Sequence, residues 1–95
     1  MLSHVVLFKL TENTEEKKAF MQEQIMRMRS KLDFLEKCEV GLNVSSDAKA
    51  YDVVAFFDFH DEEGLKRFAT DPLHIDVVNT IKSNIADVKI IDYHF

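Results

Sequence analysis

The sequence predicts an α+β fold of the ferredoxin-like kind, βαββαβ, with a four-stranded antiparallel sheet and its helices on one side. Three observations lead there. Four short segments are rich in β-branched and aromatic residues, the stretches between them carry helix-start signals, and the order along the chain is β-α-β-β-α-β.

Leu2 to Leu10 (LSHVVLFKL) is the first strand. Its alternation puts His4, Val6, Phe8 and Leu10 on one face and Ser3, Val5, Leu7 and Lys9 on the other, so both faces are apolar in the middle. Thr14 followed by Glu15 and Glu16 is a helix start, a hydroxyl cap and then acids beside the positive end of the helix dipole. Met21, Ile25, Met28, Leu32 and Leu35 follow at helical spacing and predict one buried stripe on a helix running from Thr14 to Leu35. Cys38 to Val44 reads as the second strand, where Gly41 predicts a bulge or a close backbone approach. Tyr51 to Phe59 (YDVVAFFDF) is the third, with Tyr51, Val53, Ala55, Phe57 and Phe59 on one face and Val54 and Phe56 on the other. Asp61, Glu62 and Glu63 open a short helix with Leu65 and Phe68 as its apolar contacts. Pro72 ends it, because proline fits the first turn of a helix and not the interior, and a new helix runs from about Leu73 to Asn84. Asp87 to Phe95 is the fourth strand.

A chain of 95 residues has room for a single domain, expected to span residues 1–95. Apolar residues at 46% and charged residues at 31% are globular rather than disordered composition. A net charge of −5 argues against nucleic-acid or anionic-membrane partners. The single cysteine, Cys38, excludes an internal disulfide and any multi-cysteine metal centre, and its acidic neighbours Glu36 and Glu39 give it no setting for reactivity. There is no long apolar run, and Met1 leads directly into a strand-like segment; the expectation is a soluble cytoplasmic protein without a signal peptide.

Two helices can cover only one face of the sheet. The other face would expose an apolar patch of a few hundred Å², at the limit for a monomer. Sheet-to-sheet packing of two copies would bury on the order of 1,600 Å², which predicts a homodimer with two-fold symmetry.

Five segments together carry a family resemblance: HVVLFKL at 4–10, EVGLNVS at 39–45, YDVVAFFDFHDEEGLKRF at 51–68, DPLH at 71–74 and ADVKIIDY at 86–93. In this order and spacing the chain resembles the stress-responsive dimeric α/β-barrel (Dabb) domain family along nearly its whole length. The resemblance implies a ferredoxin-like subunit whose sheet closes a barrel against a partner's sheet. The family includes plant stress proteins, domains of unknown role and a plant polyketide cyclase that works without a cofactor in a pocket between sheet and helices. Related dimeric barrels include cofactor-free monooxygenases and haem-degrading enzymes, and fold analogy does not choose among these.

Carried over residue by residue, the resemblance places His4 where the cyclase has a pocket histidine and His74 where it has its principal acid/base histidine. Val53 stands in place of another histidine and Phe68 in place of a tyrosine; the first helix has no tyrosine or histidine, and Asp71 replaces the usual histidine before Pro72. The two-histidine skeleton survives without its polar surroundings, so activity on the cyclase's substrate is not expected. Val6, Phe8, Val53, Ala55, Phe57 and Phe68 are the expected lining of a ligand pocket beside the two histidines. Imidazole titrates near neutral pH and suits proton transfer to or from an activated carbonyl or enol. The plainer reading is that both rings hydrogen-bond to backbone and pin the Pro72 turn to the sheet.

The topology also brings His4, His60 and His94 to one end of the sheet. Three imidazoles with Asp61 or Asp92 can bind a divalent metal, but none shows a ligand spacing, and the expectation is no metal and no cofactor. Asp92 reads as an exposed edge residue or one paired across the dimer. Two functional readings follow: a dimeric barrel that binds an apolar or weakly acidic small molecule or serves only as a stable assembly, and a cofactor-independent cyclase, lyase or monooxygenase using His4 and His74.

Overall fold

Each helix begins where a short polar side chain accepts hydrogen bonds from its first free N–H groups. The structure, a computed structural model, describes residues 1–95 as β1 (Leu2–Leu10), α1 (Glu15–Met26), β2 (Lys37–Leu42), β3 (Val53–Phe59), α2 (Glu62–Ala69), α3 (Pro72–Ile81), a 3₁₀ turn at Lys82–Asn84 and β4 (Ile85–His94). The Thr14 hydroxyl accepts from Lys17 N–H at 3.1 Å, Asp61 Oδ1 from Glu63 N–H at 3.1 Å, and Asp71 Oδ1 from Leu73 N–H at 2.8 Å. Pro72 occupies the first turn of α3, where its missing N–H costs nothing.

The sheet order is β2-β3-β1-β4, antiparallel throughout. On the helix side, Val6, Phe8, Leu10, Val53, Ala55, Phe57 and Phe59 form one core with Met21, Ile25 and Met28 near α1, Phe68 of α2, and Val77 and Ile81 of α3. Full burial of such side chains is worth about 1.5–3 kcal/mol each, and this core holds the helices to the sheet. The helix layer leaves β4 uncovered: Ile90 and Ile91, on opposite faces, are each 60% exposed.

The open face is laid out in rows by the registers. Lys37, Asp58, Ser3 and Tyr93 form the first row; Glu39, Phe56, Val5 and Ile91 the second; Gly41, Val54, Leu7 and Lys89 the third. Lys9 and Asp87 stand in the fourth, beside Asp52. Two apolar rows thus lie between two polar ones.

Several expected element bounds and the facing of Tyr51 need correction, and one of the two readings of Gly41 drops out. The regular part of the first helix ends at Met26 rather than at Leu35. Beyond it Arg27, Met28 and Arg29 bond to carbonyls three residues back, a tighter turn than the α-helix, yet Met28 and Leu32 stay buried. An apolar stripe reports which side chains face inward, and both geometries satisfy it. The second strand stops at Leu42. Gly41 makes no bulge, since β2 and β3 pair without interruption; a Cβ there would lie 2.9 Å from Val54 Cγ1, so close approach is its reason.

The third strand begins at Val53, because Asp52 is used differently. The β1–β4 register shifts between Lys9 and Leu10, and Asp52 Oδ2 accepts from Leu10 N–H at 2.8 Å. Asp52 N–H donates to the Phe8 carbonyl at 2.9 Å, and Lys9 Nζ stands 3.8 Å from the carboxylate. This carboxylate, 1% exposed, supplies an acceptor just past the point where the β1–β3 ladder ends, at Phe8 and Val53. Tyr51, turned away from the Val53 face, donates its hydroxyl to Asp87. Asp52→Ala should destabilise the chain by about 1–3 kcal/mol in urea unfolding, the cost of an unsatisfied buried N–H; an unchanged midpoint would show that water replaces the carboxylate.

Candidate functional site

Antiparallel pairing of β1 with β4 sets His4 opposite Asp92, Val6 opposite Ile90 and Phe8 opposite Val88, all on the helix-facing side. Above this strip, α2 and α3 meet at the Asp71–Pro72 corner, which places His74 in the first turn of α3. The His74 ring stacks on Phe68 with centroids 4.0 Å apart, and Phe68 packs against Phe57 at 4.9 Å and Phe59 at 5.2 Å. His4 lies 5.9 Å from the Phe57 ring and 6.2 Å from that of Phe68. One aromatic cluster therefore carries both imidazoles.

Between the strip and the helices lies a cavity of about 350 Å³. Of its sixteen lining residues fourteen are apolar, and the other two are His4 and His74. Val6, Phe8, Phe57 and Phe68 lie on its wall; Val53 and Ala55 are packed in the core outside it. Met28, Val77, Val78, Ile81, Val88 and Ile90 complete much of the wall, none of them singled out from the sequence as pocket residues. Helical and strand periodicity marks them as apolar but cannot tell a filled core from a cavity lining. No lysine, arginine or carboxylate lines the space, so it suits an uncharged or weakly acidic guest.

The two imidazoles differ. His4 Nδ1 is 2.5 Å from Asp92 Oδ1, a short charge-assisted contact in which the carboxylate accepts and fixes Nδ1 as the protonated nitrogen. Nε2 is then the free nitrogen, an acceptor in the neutral ring and a donor only when the ring is doubly protonated. The side chain of His4 is 15% exposed and that of Asp92 41%, so the pair sits at the cavity edge. Asp92 pairs within its own chain; the sequence showed an acid in an apolar strand, and only the register reveals its partner. His74 is more deeply set, and its Nδ1 is buried without a hydrogen-bond partner. Burial lowers its pKa below the usual histidine range; the Ala69 backbone opposes this, and the nearby His4 adds to it. Two imidazoles of different character thus face one apolar space, a neutral one inside and a carboxylate-oriented one at the edge.

The other titratable side chains stand apart. His60 is exposed just beyond β3, and His94 Nε2 lies 3.6 Å from Glu62 Oε1. No set of three His, Cys, Asp or Glu side chains converges in a way that could hold a metal ion. Burial pushes the Cys38 thiol up to about 11, with Arg29 opposing, so it stays protonated at neutral pH. No helix is long and apolar enough to cross a membrane.

A four-stranded antiparallel sheet with helices on one face and a cavity between the layers defines a ferredoxin-like domain. The family model of the stress responsive A/B barrel domain, Dabb, matches residues 2–95, and the chain belongs to this family. No curated protein sequence gives a significant match. Among solved structures, the chain is similar to a dimeric ferredoxin-like protein of unknown function from Bacteroides fragilis. Identity is 26%, coverage 99% of this chain and 95% of that one, and the TM-score 0.84. A Dabb family protein from Mesorhizobium loti is 18% identical over 99% of this chain and 95% of that one, with a TM-score of 0.83. The hydroxynitrile lyase from Passiflora edulis shares the fold at 9% identity, covering 97% of this chain and 90% of that one, with a TM-score of 0.81.

The depressed His74 pKa gives stability a pH dependence of known sign. The unfolded ring, near 6.5, binds a proton that the folded ring resists, so stability is full above about pH 6.5 and falls as pH drops towards the folded value. Urea unfolding between pH 5 and 8 should show this acid-side loss, and His74→Phe should reduce it; an equal loss in both proteins would assign it to other groups.

Proposed function

We propose that this chain forms a homodimeric stress-response-type barrel that binds an apolar or weakly acidic small molecule between its sheet and helices. The carrying observation is the cavity of about 350 Å³ whose only polar lining groups are two imidazoles. That volume lies in the range of small-molecule sites. A neutral His74 offers an acceptor to a phenol or enol hydroxyl, and the apolar wall takes the rest of the guest. The test is titration with 2-naphthol followed by fluorescence. Val78, 40% exposed and on the wall, can be enlarged without rebuilding the core. One-to-one binding is expected, weakened about ten-fold or more by Val78→Trp and only a few-fold by His4→Ala or His74→Ala. Binding that Val78→Trp leaves unchanged would place the ligand elsewhere.

A second reading is a cofactor-independent enzyme, favoured by the 2.5 Å His4–Asp92 pair standing beside an unpartnered His74. Here the neutral His74 takes a proton from a hydroxyl or an acidic C–H, and His4, oriented by Asp92, returns one to the departing or newly basic atom. The fold shared with a hydroxynitrile lyase makes cyanohydrins one sensible class for a first screen. Turnover should fall by ~10²–10⁴ in His4→Ala or His74→Ala, the usual scale for a general acid or base. Retained turnover in both variants would leave the binding reading alone.

The dimer rests on the open face. Ile91 and Tyr93 are 60% and 45% exposed there beside Leu7 and Phe56, and the Bacteroides fragilis neighbour is dimeric. Sheet-to-sheet packing would cover both apolar rows. In sedimentation the wild type should run as a dimer, and Ile91→Lys, a change at an exposed site, should give a folded monomer. A dimer that persists in Ile91→Lys would move the interface off this face.

A further inference from the structure

Four aliphatic side chains stand in solvent where the helix layer stops short of the sheet edge. Ile75 and Val78 lie on α3, and Val88 and Ile90 lie on the helix-facing side of β4; their exposure runs from 38% at Val88 to 60% at Ile90. Apolar side chains scattered singly over a surface are ordinary, but a set that converges on one opening is not. β4 packs closely on β1 alone, and α3 on α1, α2 and the 3₁₀ turn, so helix and strand leave a seam between them.

Three of the four side chains have a second role. Val78, Val88 and Ile90 also line the cavity of about 350 Å³, so the seam is its mouth and not a separate groove. Ile75 is not on the cavity wall; it precedes Val78 by one helical turn and carries the same side of α3 outward. Apolar surface therefore runs from His74 and Phe68, along the wall, and out over the lip to Ile75. The four side chains hold no donor, acceptor or charge. The one acid of α3, Asp76, is held by Arg27 at 2.7 Å. Such a strip offers a guest only the removal of hydrocarbon from water. A peptide or a sugar laid along it would find no partner for its polar groups, and an alkyl chain needs none.

We propose that the seam between α3 and β4 is a subsite for a linear alkyl tail, so that the ligand class is an amphipathic molecule with its uncharged or weakly acidic head in the cavity and its tail leaving over Ile75. This rests on the binding reading above. The head is placed by the imidazoles, and the tail sets how long a ligand the protein prefers.

The test uses a series of 4-alkylphenols, from 4-methylphenol to 4-octylphenol, each read by its displacement of 2-naphthol. Every added methylene should tighten binding about two- to four-fold, the scale of hydrocarbon burial. Ile75→Asp should weaken 4-octylphenol about five-fold or more and leave 4-methylphenol unchanged, because only the longer guest reaches the lip. Ile75→Leu should keep wild-type affinity for both. Ile75 is exposed and early in α3, where an acid suits the helix dipole, so the variant should fold. Affinity that peaks at a short chain and then falls would mean a closed cavity and would overturn the subsite. An equal loss for both phenols in Ile75→Asp, or none for either, would overturn it too by placing the tail elsewhere. A changed oligomeric state in Ile75→Asp with the gain of the octyl chain intact would assign the lip to a second copy instead. If neither 2-naphthol nor any phenol of the series binds, the binding reading itself fails.

Discussion

The register of β1 against its two neighbours is the constraint on which the rest of this structure depends. It pairs His4 with both Phe57 and Asp92, and Val6 with both Ala55 and Ile90. A slip of one residue would send Val6 and Phe8 to the open face and bring Ser3 and Lys9 under the helices. The core of α1, α2 and α3 residues forbids that slip, because their buried side chains need the even-numbered face of β1. Assembly of the layers and alignment of the histidine–carboxylate pair are therefore one event. The pair needs no scaffold of its own.

Local and long-range forces meet at the α2–α3 corner. Asp71 and Pro72 end one helix and start the next by backbone chemistry alone, and the position of His74 follows from that start. Phe68, one turn earlier and 1% exposed, gives the ring a stacking surface. An unpartnered buried nitrogen costs free energy, and here the aromatic cluster offsets the cost by packing.

Much of this was legible in the sequence because it is local. Thr14, Asp61, Asp71 and Pro72 mark helix starts through side-chain chemistry that acts within three residues, and alternation in the strands separated the two faces. The family followed from five segments in order. What was not legible is non-local. Asp92 lies 88 residues from His4, and only strand register joins them. The use of Asp52 depends on where the β1–β3 ladder ends, at Phe8 and Val53, for which those residues carry no local signal. Val53 and Ala55 share alternation with Phe57, yet helix placement puts only Phe57 on the cavity wall. The end of α1 at Met26 was hidden because Met28 and Leu32 are buried in either geometry.

β4 has a consequence of its own. It is an edge strand without a helix over it, and its alternate residues belong to two different spaces. Val88 and Ile90 border the cavity, while Ile91 and Tyr93 look out from the open face. A single strip of backbone is thus the common wall of two compartments. Anything that orders this strip from one side lowers the entropy still to be lost on the other. Any coupling between occupancy of the cavity and coverage of the open face would be reciprocal, each changing the affinity for the other by the same factor. No pathway through the core is needed, because the wall is one residue thick.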